Sequence, residues 1–250
     1  MPILSLTSSI RYSIFVFKTR SLELEFIDTG DYTPEEYAGF MREIRLVNRF
    51  AGDAWALRKT LLKDIEREDL KEFSVLDVGA GSGELLRVIA NFARKQGRQS
   101  ELYGLDYNQI SARTIREESK DYDEIYSVRG DALNLPFQDN AFDYAICSLF
   151  THHLKDEMIV ATLCEMNRVA RRRVYVIDLH RHPVAYYFYI TVGKIFLHNR
   201  LVRHDGALSI LRSFKPSELE NLARQAGFKN FSVTRHFPYR LVLENRLEKR

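Results

Sequence analysis

Apolar runs and amphipathic stretches alternate along the chain from residue 73 onward. The apolar runs predict strands at 73–79, 101–106, 124–132, 142–150 and 172–180. The stretches between them carry apolar residues at helical spacing; in the segment 84–97 these are Leu85, Ile89, Phe92 and Ala93. This alternation is typical of βαβ units, which build a parallel sheet.

The last part of the chain changes pattern. A compact helix is predicted to open at Pro216 and to end at Gly227, and the segment 231–247 reads as a hairpin that turns near Pro238. The sequence therefore predicts an α/β fold with a Rossmann-like, doubly wound sheet of seven strands. The sheet should be mostly parallel, with an antiparallel C-terminal hairpin.

The regions around this pattern suggest a domain organisation. Residues 1–30 are predicted to be a loosely held N-terminal segment, and residues 31–72 a helical cap that begins with a capping box at Thr33, Pro34 and Glu36. The apolar face of that helix comprises Tyr37, Phe40, Met41, Ile44 and Val47. The catalytic domain should span 73–250, with an insertion at 181–213 that covers the substrate.

Composition narrows the class of protein. The 250 residues are 45% hydrophobic and 28% charged, which is typical of a soluble globular protein. With 37 basic and 34 acidic residues, the net charge of +3 gives no reason to expect nucleic acid as a partner. Cys147 and Cys164 form no disulfide framework, and no signal peptide is evident, so a cytoplasmic location is expected.

The segment VLDVGAGSGELL at 75–86 carries the clearest chemistry. A glycine turn between a strand and a helix places free backbone N–H groups and the positive end of a helix dipole at the carboxyl edge of a parallel sheet. Asp77, just before the turn, would repel a pyrophosphate but suits a ligand that carries an ammonium group beside a carboxylate. The glycine spacing also differs from the G-x-G-x-x-G of dinucleotide sites. The alternative to a ligand-binding loop is a tight strand-to-helix turn that binds no ligand.

This D-x-G-x-G-x-G pattern resembles motif I of the class I S-adenosylmethionine-dependent methyltransferases, and the resemblance extends over residues 73–180. It implies S-adenosylmethionine as cofactor and S-adenosylhomocysteine as product. Asp106, at the end of the second strand, could accept hydrogen bonds from both ribose hydroxyls, although an aspartate there is also common as a helix cap. The cofactor-binding residues expected from the resemblance are Asp77, Gly79, Ala80, Gly81, Gly83, Asp106, Tyr107, Asp131, Ala132 and Ser148.

Two of these positions come from the segment 130–147, which resembles the family's acidic loop. The residues that match Asp131 and Ala132 meet the adenine in that family, while the plainer interpretation of Asp131 is a solvated turn residue. Before the fifth strand the chain departs from the family, with Arg171, Arg172 and Arg173 where many relatives have a proline and paired glycines. These arginines are expected to form a solvated turn.

Methyl transfer from a sulfonium needs an aligned acceptor and no metal, although a phenol or alcohol acceptor gains from a base. The candidate bases are His152, His153, His180, His182, His198 and His204. His153 is expected to shape the turn after the fourth strand rather than to move protons. His204 and Asp205, in a predicted lid loop, are either a general base with its orienting carboxylate or residues that cap a turn at Gly206.

The insertion is rich in aromatic residues, with Tyr186 to Tyr189 in succession. Two interpretations are open: packing against the N-terminal helix, or a pocket for an aromatic or prenyl-like acceptor. The apolar run 184–190 is too short to span a bilayer, which leaves weak peripheral contact with a membrane open.

The predicted function is methyl transfer to a small hydrophobic molecule, with oxygen favoured as the acceptor atom. The alternatives are a catalytically idle relative that acts as a partner or sensor and, more remotely, an NAD-dependent oxidoreductase. The sequence does not address the oligomeric state.

Overall fold

The computed structural model describes residues 16–33, 35–37, 39–40, 42–44 and 52–248. Its strands are β1 (Glu72–Val78), β2 (Gln99–Asp106), β3 (Ile125–Arg129), β4 (Phe142–Ser148), β5 (Ala170–Leu179), β6 (Phe231–His236) and β7 (Arg240–Arg246). They form one seven-stranded sheet in the order β3-β2-β1-β4-β5-β7-β6. The pairs among β1 to β5 are parallel, and β6 and β7 form an antiparallel pair. The predicted fold class is confirmed.

The helices with defined bounds are α1 (Phe26–Thr29), α2 (Asp53–Leu57), α3 (Lys63–Arg67), α4 (Glu84–Lys95), α5 (Gln109–Glu118), α6 (Asp156–Val169), α7 (Pro183–Phe196), α8 (Arg200–Arg212) and α9 (Pro216–Gln225). A π-helical segment, Arg58–Leu62, joins α2 to α3. The apolar residues of α6 at helical spacing, Ile159, Leu163, Met166 and Val169, are all buried. No helix of the described residues is long and apolar enough to cross a bilayer.

The strand order reverses at β1. Strands β2 and β3 follow on one side of it, whereas β4 and β5 lie on the other. In open α/β sheets, ligands bind at such a reversal, beyond the carboxyl ends of the strands. The register of β1 places Asp77 beside Gly104 of β2 and Ile146 of β4, at this end of the sheet.

The core of the sheet is apolar on both faces. Every residue of β1 after Glu72 is buried, as are the first six residues of β4. Leu57, Leu61 and Ile65, from the segment before β1, pack in the same cluster as Val75 and Ile146. Strands covered on both faces read as continuous apolar runs, which is why the sequence located them.

The structure divides the chain into two units. The sheet unit comprises Gly52–Asp178 and Pro216–Arg250, and the helical unit comprises Met1–Ala51 and Leu179–Lys215. The segment 31–72, which the sequence analysis treats as one cap, is thus shared between the two. Thr33 and Glu36 form the expected reciprocal cap, whereas Pro34, Met41 and Val47 lie outside the described residues.

The described part of the N-terminal segment makes specific contacts, in contrast to the loosely held tail that was expected. Phe17 is buried, and its carbonyl accepts a hydrogen bond from Arg181 Nε at 3.2 Å. The backbone N–H of Ser21 donates to the carbonyl of Leu211 at 3.0 Å. These partners lie more than a hundred residues away, so the local sequence gives no indication of them.

The prediction of a solvated turn at Arg171 to Arg173 is wrong, since β5 begins at Ala170. The Arg173 side chain is only 4% exposed and lies 2.8 Å from Asp64 Oδ2 and 2.7 Å from Glu68 Oε1. Arg171 and Arg172 both bind the carboxylate of Asp143. Arginine is stable inside a sheet here because carboxylates surround it.

Candidate active site

The glycine turn after β1 is held in a conformation that only glycine adopts readily. Gly79, Gly81 and Gly83 have φ values of +72°, +56° and +74°. A Cβ at Gly79 would lie 2.6 Å from the Phe150 ring, so this glycine is needed for close packing. Around Gly81, no described atom lies within 4 Å of the position of a Cβ. The turn therefore has open space beside Gly81.

The backbone of this turn is tied to the neighbouring strand. The N–H groups of Gly79 and Ala80 donate to the Leu105 carbonyl at 2.8 and 3.1 Å, and that of Gly83 donates to the Ala80 carbonyl at 2.8 Å. The expectation of free N–H groups in the loop is therefore wrong for these residues. These N–H groups hold the shape of the turn and do not serve as donors to an anion.

Asp106 connects the turn to the end of β2. Its Oδ2 accepts from the Gly81 N–H at 3.0 Å, and its Oδ1 accepts from the Asn108 N–H at 2.9 Å. Burial raises the pKa of this carboxyl, and the two backbone hydrogen bonds oppose the shift. Each carboxylate oxygen has a second lone pair, so Asp106 can still accept hydrogen bonds from two hydroxyl groups of a ligand.

Asp77 is a buried polar group of the site with an oxygen that is unsatisfied among the described residues. Its side chain is buried, and its Oδ1 has no hydrogen-bond partner within the described part of the chain. Burial, followed by the negative charge of Asp106, raises the pKa of Asp77 to about 8. A buried carboxylate without a donor is costly, and an ammonium group would satisfy it. Asp77 and the space at Gly81 thus fit the amino-acid end of S-adenosylmethionine.

This shift predicts that cofactor binding depends on pH. Below about pH 8 the carboxyl of Asp77 is protonated in the folded protein, so binding an ammonium group there releases a proton. We expect the affinity for S-adenosylhomocysteine to rise between about pH 6 and pH 8, by at most about tenfold per pH unit, and then to level off. Calorimetric titrations at several pH values measure this. Asp77→Asn should abolish the dependence; a flat profile in the wild-type protein would remove Asp77 from the ammonium site.

The same shift has a consequence for stability. The pKa of Asp77 is higher in the folded protein than its ordinary value of 3.8, so the folded state keeps a proton that the unfolded chain has already lost. Without ligand, the contribution of Asp77 to stability is therefore complete below about pH 4. It is lost as the pH rises toward about 8.

The remaining predicted cofactor residues lie at the carboxyl ends of β2, β3 and β4. The Gly130 N–H donates to the Asp106 carbonyl at 3.1 Å, which ties the loop after β3 to the end of β2. Asp131 is exposed, and its Oδ1 accepts from the Leu133 N–H at 2.9 Å, as in a turn, while Ala132 is buried. Tyr107 is 72% exposed, and Ser148 is half-buried. The parallel sheet thus brings all these positions to one edge.

The turn after β4 depends on a residue that the sequence analysis missed. Asp178, buried near the end of β5, accepts from Thr151 Oγ1 at 2.6 Å and from the His152 N–H at 3.2 Å. Its Oδ1 lies 2.6 Å from His152 Nδ1. His153, the histidine selected from the sequence, is half-buried, and its ring centroid lies 4.3 Å from that of His152. The sequence feature that could have indicated this network is the aspartate at the end of the fifth predicted parallel strand, Asp178.

His204 and Asp205 do not lie in a loop, and no turn occurs at Gly206. The predictions of a lid loop and of a turn at Gly206 are wrong because the segment forms the helix α8, which is capped by Asn199. Asp205 is buried, and its carboxylate accepts from the N–H groups of Phe26 and Ile27 at 3.0 and 3.1 Å, at the start of α1. His204 Nδ1 nevertheless lies 2.8 Å from Asp205 Oδ1. The two side chains therefore interact as a pair within the helical unit.

Comparisons with known proteins indicate a methyltransferase domain. A family model described as a methyltransferase domain matches residues 75–173. A demethylmenaquinone methyltransferase of Staphylococcus saprophyticus is 27% identical over 188 residues, which cover 70% of this chain and 78% of the relative.

Solved structures share the fold. A methyltransferase from Aquifex aeolicus aligns with a TM-score of 0.56 and 16% identity, covering 82% of this chain and 98% of the other. Magnesium protoporphyrin IX methyltransferase from Synechocystis with bound S-adenosylhomocysteine aligns with a TM-score of 0.58 and 17% identity, covering 84% and 94%.

Proposed function

Because this chain is a class I S-adenosylmethionine-dependent methyltransferase, we propose that it methylates a small hydrophobic acceptor with a quinol-type aromatic ring. The buried, unpartnered oxygen of Asp77 beside the open space at Gly81 carries the assignment of the cofactor site. The proposal for the acceptor rests on the relatives named for demethylmenaquinone. The aromatic residues of α7, within the insertion at 181–213, are compatible with an apolar acceptor.

Bound S-adenosylmethionine supplies an electrophilic methyl group on a sulfonium. The chain's own residues would then hold and orient the donor. Asp77 would bind the ammonium group, Asp106 the ribose hydroxyls, and the loop with Asp131 and Ala132 the adenine. The turn that Asp178 braces would border the reacting end, so that Thr151, His152 and Asp178 keep the wall of the site rigid.

The acceptor must become a good nucleophile. Removing the hydroxyl proton of a quinol raises the electron density of the oxygen and of the adjacent ring carbons, so a base assists transfer to either atom. Oxygen is the site predicted from the sequence, and a ring carbon is the alternative that the same acceptor offers. The insertion at 181–213 remains the predicted substrate-selecting segment.

An acceptor screen tests this proposal. The purified protein, with S-adenosylmethionine labelled in the methyl group, is incubated with phenols, reduced and oxidised quinones, and non-aromatic lipids. We expect label in the reduced quinones, and nuclear magnetic resonance of the product then identifies an O-methyl or a C-methyl group. Transfer only to non-aromatic compounds would contradict the proposed acceptor. Binding of the cofactor without transfer to any compound would indicate the idle alternative.

His204 is the proposed base. Asp205 orients its ring through Nδ1, which leaves Nε2 as the nitrogen that would accept a proton. We expect His204→Ala to lower kcat by about 100-fold without changing the affinity for S-adenosylhomocysteine. His198→Ala is the matched control, since that side chain is 84% exposed and contacts Glu43 only at 3.8 Å. Equal activity of the two variants would dismiss His204 as the base.

A further inference from the structure

One face of α7 is apolar and exposed. Val184, Tyr187, Phe188 and Ile195 are 55%, 46%, 65% and 69% exposed, and Thr191 between them is exposed as well. Their positions, i, i+3, i+4, i+7 and i+11, place all five on one side of the helix. Gly193, on the opposite side, is buried, and so is Ala185 on the flank of this face. We call these five residues the outer face of α7.

The outer face has little with which to bind a polar partner. It contains no charged residue, and its polar groups are two hydroxyls. One is the phenol of Tyr187, and the other, that of Thr191, turns back to donate to the carbonyls of Tyr187 and Phe188 at 2.7 and 3.0 Å. Protein interfaces usually have a polar rim and about one hydrogen bond per 100–200 Å². An apolar face whose only aliphatic hydroxyl is satisfied internally fits the hydrocarbon boundary of a bilayer better.

The chain segments in and next to the outer face lack acidic residues. The chain has 34 acidic residues, but none lies between Leu179 and His204, where Lys194, Arg200 and Arg203 occur. Arg181, in the same segment, is buried, and Arg200 is paired with Glu36 of the preceding part of the chain. Residues 1–22 also lack Asp and Glu. Within this stretch, the Phe17 ring packs against the rings of Tyr186 and Tyr187 of α7, with centroid distances of 5.5 and 6.2 Å. The basic residues of these acid-free segments thus complement a surface of negative charge.

We propose that the outer face of α7 docks on a bilayer surface containing anionic lipids, with the helix lying in the plane of the interface. The apolar side chains enter the boundary between headgroups and acyl chains, and the acid-free segments attract the negative headgroups. The helix lies on the membrane and does not cross it. This inference goes beyond the proposed function and does not depend on the identity of the acceptor.

Sedimentation with vesicles tests the proposal. The full-length protein is mixed with vesicles of phosphatidylcholine alone or with about 30% phosphatidylglycerol. We expect it to sediment with the anionic vesicles and to bind the neutral ones at least about tenfold more weakly. The double variant Phe188→Glu, Ile195→Glu should weaken binding to the anionic vesicles by at least about tenfold. Phe237→Glu is the matched control, because Phe237 is 79% exposed in the sheet unit, and its binding should equal that of the wild type.

Two results would overturn the proposal: a wild-type protein that stays in the supernatant with both kinds of vesicle, or a double variant that binds as the control does. If vesicle binding is absent and size-exclusion chromatography shows that the double variant breaks up an oligomer, the outer face is an interface between proteins. Titration of each variant with S-adenosylhomocysteine shows whether the cofactor site is intact. A failure of docking can therefore be distinguished from a failure of the proposed function.

Discussion

Gly81→Val is expected to abolish measurable binding of S-adenosylhomocysteine while the protein stays folded. Two effects combine. A side chain at Gly81 would enter the open space that the ligand's amino-acid end would occupy, and a β-branched residue at a φ of +56° is strained. The strain alone costs about 1–2 kcal/mol. Because the side chain also displaces the ligand, we expect the affinity to fall by more than about 100-fold, as measured by calorimetry.

Gly97→Val is the matched control for this variant. Gly97 has a φ of +62°, and no described atom lies within 4 Å of the position of its Cβ, so the backbone strain is comparable. It follows α4, at the opposite end of that helix from the glycine turn. We expect Gly97→Val to lower the thermal stability without changing the affinity for S-adenosylhomocysteine. If both variants bind the ligand as the wild type does, the turn is not the binding site.

Asp106→Ala should have the second-largest effect. It removes both acceptors for the ribose hydroxyls and also releases the Gly81 and Asn108 N–H groups that Asp106 holds. Hydrogen bonds to a charged group contribute about 1.5–3 kcal/mol each, so losing two predicts an affinity at least about 100-fold lower. Titration with S-adenosylhomocysteine measures this, and thermal unfolding checks that the fold survives.

Glu101→Ala serves as the control for the loss of a carboxylate on the same strand, because Glu101 is exposed and lies away from the carboxyl end of β2. The affinity of Glu101→Ala for S-adenosylhomocysteine should match that of the wild type. An unchanged affinity in Asp106→Ala would exclude Asp106 from the site. The carboxylate would then serve only to hold the turn.

Local sequence patterns predicted most of the sheet unit, since its strands are continuous apolar runs and its turns need glycine. Strand β1, the glycine turn and α4 follow one another within 24 residues, from Glu72 to Lys95, and each is determined by its own residues. The same holds for the hairpin of β6 and β7, whose residues pair from Phe231 with Asn245 to His236 with Arg240. The residues that convey this information are neighbours along the chain.

The features that the sequence did not predict depend on distant partners. Arg173 is buried because Asp64, Glu68 and Glu244 come from elements far away in the sequence. The sequence His204-Asp205-Gly206 reads locally as a turn, since aspartate and glycine are poor helix formers. Within the helix, Asp205 accepts hydrogen bonds from the start of α1, and Gly206 leaves room for the Tyr189 hydroxyl, with which a Cβ would collide. Tertiary contacts override the local preference.

One titration tests the central claim most directly: calorimetry of the purified protein with S-adenosylhomocysteine and, separately, with NADH. The glycine spacing, the unpartnered oxygen of Asp77 and the position of Asp106 predict binding of S-adenosylhomocysteine in the micromolar range, about −8 kcal/mol, and no binding of NADH. Binding of NADH without binding of S-adenosylhomocysteine would contradict the account, and so would the absence of binding by either ligand.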